Sequence, residues 1–337
     1  MAHFNPLFFV FRSGVLFVVL MMASSPGMPI LQAAEGQLAD PAVKVLPDRG
    51  LKDLPSGRNG AAIRYGYELL LHTPDYLGPR GKISHNTKSR MSCGNCHLDV
   101  GTRPLGNSWL DSHALYPQYR AREGRIQTLA DRVNTCLEVP LQGKPLRPDS
   151  PEMQSILLYI KWIGRSRPIL DRDPDLRMAA LPLLSRAAEP AAGREIFENR
   201  CASCHGQKGQ GRLTTDDVAF VYPPLWGPES YRTGSSMSRL SLLARFVKSN
   251  MPYSDSSRSP SLTDNEAWDV AAYINSQDRP SWSGKSPFAD PLEKPFDFPL
   301  GPYRDGFSDA QHRLGPFKPI QDFLESKLGK QPNSSGI

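Results

Sequence analysis

No stretch of the 337-residue chain is long enough to cross a bilayer. Its clearest apolar run, Val15 to Ala23, has nine residues, where a spanning helix needs about 20. An excess of one charge is also missing. Forty Lys and Arg against 34 Asp and Glu leave a formal balance of +6. That excludes a strongly cationic nucleic-acid binder and suits small anionic substrates. Cysteine is scarce, at five residues, and odd in number. What is abundant is proline, 32 of 337 residues, roughly twice the usual share of about 5%. This predicts long irregular connections beside the regular elements. Charged residues at 22% and aromatics at 9% exclude a disordered chain, and the length fits about two domains.

Residues 1–34 hold one formal charge, Arg12, and no acid. The apolar run is followed by Pro26, Pro29 and Ala33-Ala34. This pattern predicts a secretory signal cleaved near Ala33 or Ala34, and a periplasmic protein with no stable membrane span after cleavage. The competing reading is an uncleaved anchor, for which the run is too short.

The remaining chain repeats itself. Cys93-Gly94-Asn95-Cys96-His97 is matched by Cys201-Ala202-Ser203-Cys204-His205. A helical segment precedes each (Ala61 to Leu71; Gly193 to Arg200), and an amphipathic one closes each (Pro151 to Ile163; Thr263 to Ser276). Apolar residues at three- and four-residue steps predict helices, and Leu262-Thr263 with Glu266 reads as a helix start. The expected fold is mostly α: two cytochrome c-type helical domains, residues 50–165 and 186–280. A Pro-rich linker joins them. Residues 281–337 form a long, Pro-rich, irregular C-terminal extension, whose Trp282, Phe288, Phe296, Phe298, Tyr303, Phe307 and Phe317 favour wrapping over the domains.

Cys-x-x-Cys-His is the attachment signature of c-type haem: two thiols add to the vinyl groups and the adjacent His ligates the iron. The cofactor-binding candidates are therefore Cys93, Cys96, Cys201 and Cys204, for two covalently bound haem c. The metal-ligand candidates are His97 and His205. A four-cysteine zinc site and local disulfides are the rivals. The repeat, the two His and the export signal weigh against the zinc site.

Each iron then needs a sixth ligand or an open position. Met251-Pro252 lies 22 residues before Tyr273 of the second closing helix, where a small cytochrome c carries its thioether ligand; Met237 is a competitor. The first copy has no Met there. Counting back 23 residues from Tyr159 reaches Cys136, with His72, His85, His113 and Met153 as alternatives. A thiolate stabilises ferric iron, a thioether ferrous iron, so a low- and a high-potential haem make a directed path. Arg120, Arg122, Arg125 and Arg132 precede Cys136 within sixteen residues. They form either a solvated face or a pocket whose guanidinium forks hold a small oxyanion.

At this point the sequence resembles the bacterial thiosulfate dehydrogenases, tetrathionate-forming di-haem cytochromes c. The resemblance rests on both haem motifs, Tyr119 to Cys136, Pro223 to Gly227, Asn250-Met251-Pro252, Gly301 to Phe307 and Gln311 to Ile320. A more distant likeness is to the haem subunit of the Sox sulfur-oxidation system. The family reaction joins two thiosulfates into tetrathionate and releases two electrons. The resemblance implies a catalytic His97/Cys136 haem, substrate binding by Arg122 and Arg132, and electron exit through a His205/Met251 haem. The acceptor would be a soluble cytochrome c or another small periplasmic redox protein.

The chain departs from the family pattern in two places. An Arg-Ser pair after the cysteine is replaced by Val139-Pro140, which removes a hydroxyl, and Asn250 stands where some members carry a switching Lys. No simple Lys/Met switch is expected, since Lys248 lies two residues further back. Three other functions are kept in view: a non-catalytic electron-transfer cytochrome, an oxidoreductase for another sulfur anion (net tetrathionate reduction included), and a redox subunit docking on another enzyme.

Overall fold

The computed structural model describes residues 51, 53–165, 176–253, 262–282 and 288–329; the signal segment expected at residues 1–34 lies outside them. Helices α1 (Gly57–Leu71) and α2 (Thr73–Leu77) lead into the first Cys-x-x-Cys-His run. After it come α3 (Ser112–Leu115), a hairpin of β1 (Gln118–Arg120) and β2 (Arg125–Gln127), α4 (Leu129–Glu138) and α5 (Pro151–Gly164). The second copy comprises α6 (Pro190–Arg200), α7 (Ala202–His205), the antiparallel pair β3 (Arg212–Leu213) and β4 (Phe220–Tyr222), α8 (Leu240–Asn250) and α9 (Asp264–Ser276). The tail adds α10 (Asp309–Leu314) and α11 (Lys318–Leu328). Among the described residues the molecule is mostly helical, with two small antiparallel pairs.

Each copy is framed by its first and last helices, α1 on α5 and α6 on α9. Both crossings depend on a glycine. A Cβ on Gly66 would stand 2.0 Å from the Ser155 carbonyl oxygen, and one on Gly193 would stand 1.9 Å from that of Asp269. Only a residue without a side chain permits backbones this close. Capping sets where the helices begin. Thr128 and Asp131 form a reciprocal box at α4, and Thr263 and Glu266 form one at α9. Ser150 caps α5, with Pro151 in its first turn. Each cap satisfies amide protons that have no partner inside the helix.

Two apolar clusters hold the chain. Ile63, Leu70, Ile156, Tyr159 and Ile160 fill the α1–α5 contact. The larger cluster joins α8, α9 and the tail, and it also takes in Leu77, Met91, Leu98 and Leu137 of the first copy. Helix α4 thus buries Leu137 with the second copy's residues. Polar contacts follow the same seam. Arg90 Nε donates to Glu229 at 2.8 Å, Gln142 Nε2 donates to the carbonyls of Pro228 (2.9 Å) and Ser230 (3.0 Å), and Arg232 donates to the Glu138 carbonyl at 3.1 Å.

The described part of the tail lies on this core. Phe296, Phe298, Phe317, Ile320 and Leu324 are buried, each worth about 1.5–3 kcal/mol in transfer terms. Asp297 accepts from Arg239 Nε at 2.9 Å and from the Ser241 amide at 2.8 Å. The side chains of this ion pair are 5% and 0% exposed. The pattern-poor tail was expected to be irregular, yet it forms α10 and α11. Ser308 caps the first, Pro319 sits in the first turn of the second, and Gly329 closes it in the left-handed conformation. These cap residues were one available signal; α10 is too short to show a period, but Ile320, Phe323, Leu324 and Leu328 of α11 recur at helical steps and were the other.

Candidate active site

The first Cys-x-x-Cys-His run begins on a 3-10 turn, Cys93–Asn95, whose start is closed by Ser92 and Asn95. His97 Nδ1 lies 2.6 Å from the Asn107 carbonyl. A carbonyl only accepts, so Nδ1 carries the proton and Nε2 keeps its lone pair. Burial pushes the ring down to about 4, against the pull of that carbonyl, which keeps it neutral. His205 repeats the device: Nδ1 lies 2.8 Å from the Pro223 carbonyl, and burial again lowers its pKa. The Pro223 to Gly227 stretch therefore has a structural task, to orient the second imidazole.

Burial pushes the Cys93 and Cys96 thiols up to about 11 and about 12, and Cys201 up to about 11. No group of three or more His, Cys, Asp or Glu among the described residues could hold a bare metal ion. All five cysteines are free of disulfides. Paired thiols beside an oriented, neutral imidazole fit covalent haem at both runs.

A pocket at the first run is lined by Cys96, His97, Asn107, Arg122, Arg132 and Cys136, among others. Arg132 and Cys136 are four residues apart on α4 and so share a face. Attraction to the Cys136 sulfur raises Arg132 further, against the opposing effect of burial. Arg122 comes from the β1–β2 turn, and its side chain is 15% exposed. Burial pushes it down to about 10; the carboxylate of Glu123, 3.9 Å from its Nε, pulls the other way, and the nearby Arg132 and Arg120 push down again. Two guanidiniums crowded together out of water are stabilised by an anion between them. Arg125 belongs elsewhere: it is exposed and pairs with Asp131 at 3.2 Å.

The alternative first-haem ligands lie outside this pocket. His72 is half in solvent beside Glu68 and Asp75, His85 is exposed, His113 packs against Gly164, and Met153 is fully buried in α5. Met251 follows α8 as its C-cap residue. Met237, its competitor for the second haem, instead lines the first pocket, together with Ser235, Ser236 and Leu242. Sequence reasoning missed this contribution from the second copy, because no local pattern marks a residue that crosses a domain seam. Val139 and Pro140 also line the pocket, so the place of the family's Arg-Ser pair is apolar here. Lys248 is held by Asp264 at 3.1 Å and donates to the Leu262 carbonyl at 2.5 Å.

Two helical units, each with a Cys-x-x-Cys-His run and an oriented imidazole, are the mark of a di-haem cytochrome c. The family model "Cytochrome c" matches residues 190–278, and "SoxA/TsdA, cytochrome c domain" matches residues 83–169. The thiosulfate dehydrogenase of Allochromatium vinosum is 33% identical over 250 residues, covering 72% of this chain and 84% of that protein. That of Stutzerimonas stutzeri is 31% identical over 229 residues, 68% and 71% of the two chains. The solved "as isolated" thiosulfate dehydrogenase (TsdBA) of Marichromatium purpuratum superposes with a TM-score of 0.64 at 32% identity. It covers 70% of this chain, which spans half the length of that one. The chain belongs to the thiosulfate dehydrogenase family of oxidoreductases and carries two covalently bound haem c.

Proposed function

We propose that this protein oxidises two thiosulfate ions to tetrathionate in the pocket of Cys136. The single observation that carries this reading is the convergence of Arg122 and Arg132 with Cys136 and His97. Thiosulfate is a dianion, and joining two of them requires offsetting their repulsion. Two half-buried guanidiniums, already organised beside the thiol, would do so. In the first step the Cys136 thiolate bonds to the sulfane sulfur of one thiosulfate, and two electrons leave. In the second step another thiosulfate attacks that sulfur, releasing tetrathionate and restoring the thiolate. His97 with Cys136, and His205 with Met251, would hold the two haems, which when bound would each take up one electron at a time. The electrons pass on to a soluble cytochrome c or another small periplasmic redox protein.

Export by the segment at residues 1–34 belongs to the same proposal. No helix among the described residues is long and apolar enough to cross a membrane. The apolar Val139-Pro140 wall favours one second reading, an altered direction or a different sulfur anion. The test is tetrathionate formation from thiosulfate by the haem-loaded protein with ferricyanide, alongside Cys136→Gly. We expect product from the parent and none from the variant. A parent with both haems reducible by dithionite, yet inert to thiosulfate, would overturn the reading; turnover of another anion in a substrate panel would establish the second.

A further inference from the structure

We propose that Asn250 and Tyr253 are positioning residues, which set the Met251 thioether by reference to the first haem domain and tie it to His97. The proposal rests on the reading of His97 and Met251 as ligands. Its geometry lies in the loop 98–107 that follows the first haem run.

That loop does two jobs. Its Asn107 carbonyl takes the His97 Nδ1 proton at 2.6 Å, and Asn107 Nδ2 donates back to the Cys96 carbonyl at 3.0 Å. Two residues earlier, the Leu105 carbonyl accepts from Asn250 Nδ2 at 3.0 Å. Asn250 is 2% exposed, and the same amide also donates to the Phe246 carbonyl at 3.1 Å. The residue after Asn250 is Met251. Two hydrogen bonds and the backbone of residues 105–107 therefore join the imidazole of one haem unit to the residue beside the thioether of the other.

A second clamp lies on the far side of Met251. Tyr253 Oη donates to Asp99 at 2.8 Å, and the Arg103 guanidinium lies 4.6 Å from the centre of its ring. Met251 is thus bracketed by two contacts to one loop. The loop is stiff for its own reason: Asp99, Val100, Leu105 and Asn107 all have positive φ, between 51° and 63°. For Val and Leu this conformation costs energy, and it persists only where the surroundings impose it. A generic surface loop needs no such arrangement.

Asn also suits its position chemically. Its amide offers two donors, and both are spent on backbone carbonyls. Leu in its place would fill similar volume and strand the Leu105 carbonyl.

The experiment uses the full haem-loaded protein in three variants: Asn250→Leu, Tyr253→Phe and, as a reference, Met251→Ala. The first readout is the thioether-to-iron charge-transfer band of the oxidised protein. The second is the ferric spin-resonance signature of the first haem. Met251→Ala should abolish the band; if it does not, the ligand reading itself fails. Given that loss, Asn250→Leu should lower the ratio of Met-bound to Met-free second haem by about tenfold, on the scale of one lost buried hydrogen bond. It should also shift the first haem's signature, which a merely local role would leave unmoved. Tyr253→Phe, at a site 41% exposed, should act in the same direction but less, and it keeps the test open if Asn250→Leu fails to fold. An unchanged band in both variants overturns the proposal. So does a weakened band with an unmoved first haem, since the tie to His97 would then be absent.

Discussion

In the first haem unit Gly66 lets α1 meet α5 at Ser155, and in the second Gly193 lets α6 meet α9 at Asp269. Four residues further along each closing helix stand Tyr159 and Tyr273, and each packs on the same glycine. Both imidazoles also give Nδ1 to a backbone carbonyl. The units part company at the helix that carries or ends at the proposed sixth ligand: Cys136 lies within α4, and Met251 directly follows α8. Helix α8 buries Leu240, Leu242, Leu243, Phe246 and Val247 before it ends at Met251. Helix α4 buries only Ala130 and Leu137 and carries Arg132 and Cys136 on a partly open face. A closed apolar helix presenting a thioether suits electron conduction. A half-open polar helix presenting a thiol beside cations suits chemistry on an anion. On the proposed function, one helical frame would serve two uses, and the largest visible difference between the units is the helix α4 against α8.

The largest effect should come from removing the cations that distinguish the first unit. Arg132→Met should lower turnover about 10²–10³-fold, the scale for losing one organised charge donor, and leave the absorption of the second haem unchanged. An undiminished rate would erase the functional contrast between the units. Asp297→Ala removes one partner of the buried pair that pins the tail to α8. It should cost about 3–5 kcal/mol, because Arg239 is left charged and unpaired, measured as a lower denaturant midpoint. A cost near zero would mean that the tail merely rests on the second unit.

Gly66→Ala and Gly193→Ala sharpen the likeness. Each pushes a methyl onto a carbonyl about 2 Å away and should cost about 1–3 kcal/mol or more by overpacking. The two costs should be alike, and a large inequality in thermal unfolding would show that the crossings are not equivalent. Smaller still are the caps. Thr128→Ala and Thr263→Ala should each cost about 1 kcal/mol, but only the first should slow turnover, since α4 carries Cys136.

Acid should separate the same two helices. The backbone amide of Thr128, then Arg125 and the Thr128 hydroxyl, hold the Asp131 carboxyl down to about 2, against an unfolded value near 3.8. A depressed carboxylate stabilises the fold above its unfolded pKa and stops doing so as pH falls through its folded one. The α4 cap should therefore weaken between about pH 4 and pH 2. The Asp131 side chain is 33% exposed at the surface, so the effect is small. It should appear as a change in the first haem's absorption before that of the second.

Much was legible beforehand because it is written in local spacing. The haem runs, the closing helices and the cap residues Thr263 and Glu266 all follow from counting along the chain. Arg132 and Cys136 share a helix face by their four-residue separation alone. Helix α10 escaped because six residues are too few for a period to emerge; α11 was legible in Ile320, Phe323, Leu324 and Leu328 but was overshadowed by the surrounding prolines. The sorting of the four arginines escaped as well: Arg122 turns into the pocket and Arg125 out to Asp131, although both belong to one hairpin.

By itself the sequence determined which side chains could bind haem and where the two closing helices start, though it began the two opening helices three or four residues late, at Ala61 and Gly193 rather than Gly57 and Pro190. These are properties of neighbours on the chain, set by covalent spacing and by hydrogen bonds of short reach. Only the tertiary structure decided that Met237, Ser235 and Ser236 of the second unit would wall the first unit's pocket, and that Asn250 would reach Leu105, 145 residues away. Those contacts depend on how two apolar faces merge into one core. Burial of apolar surface has no direction along the chain, so no local pattern could have announced which residues it would bring together.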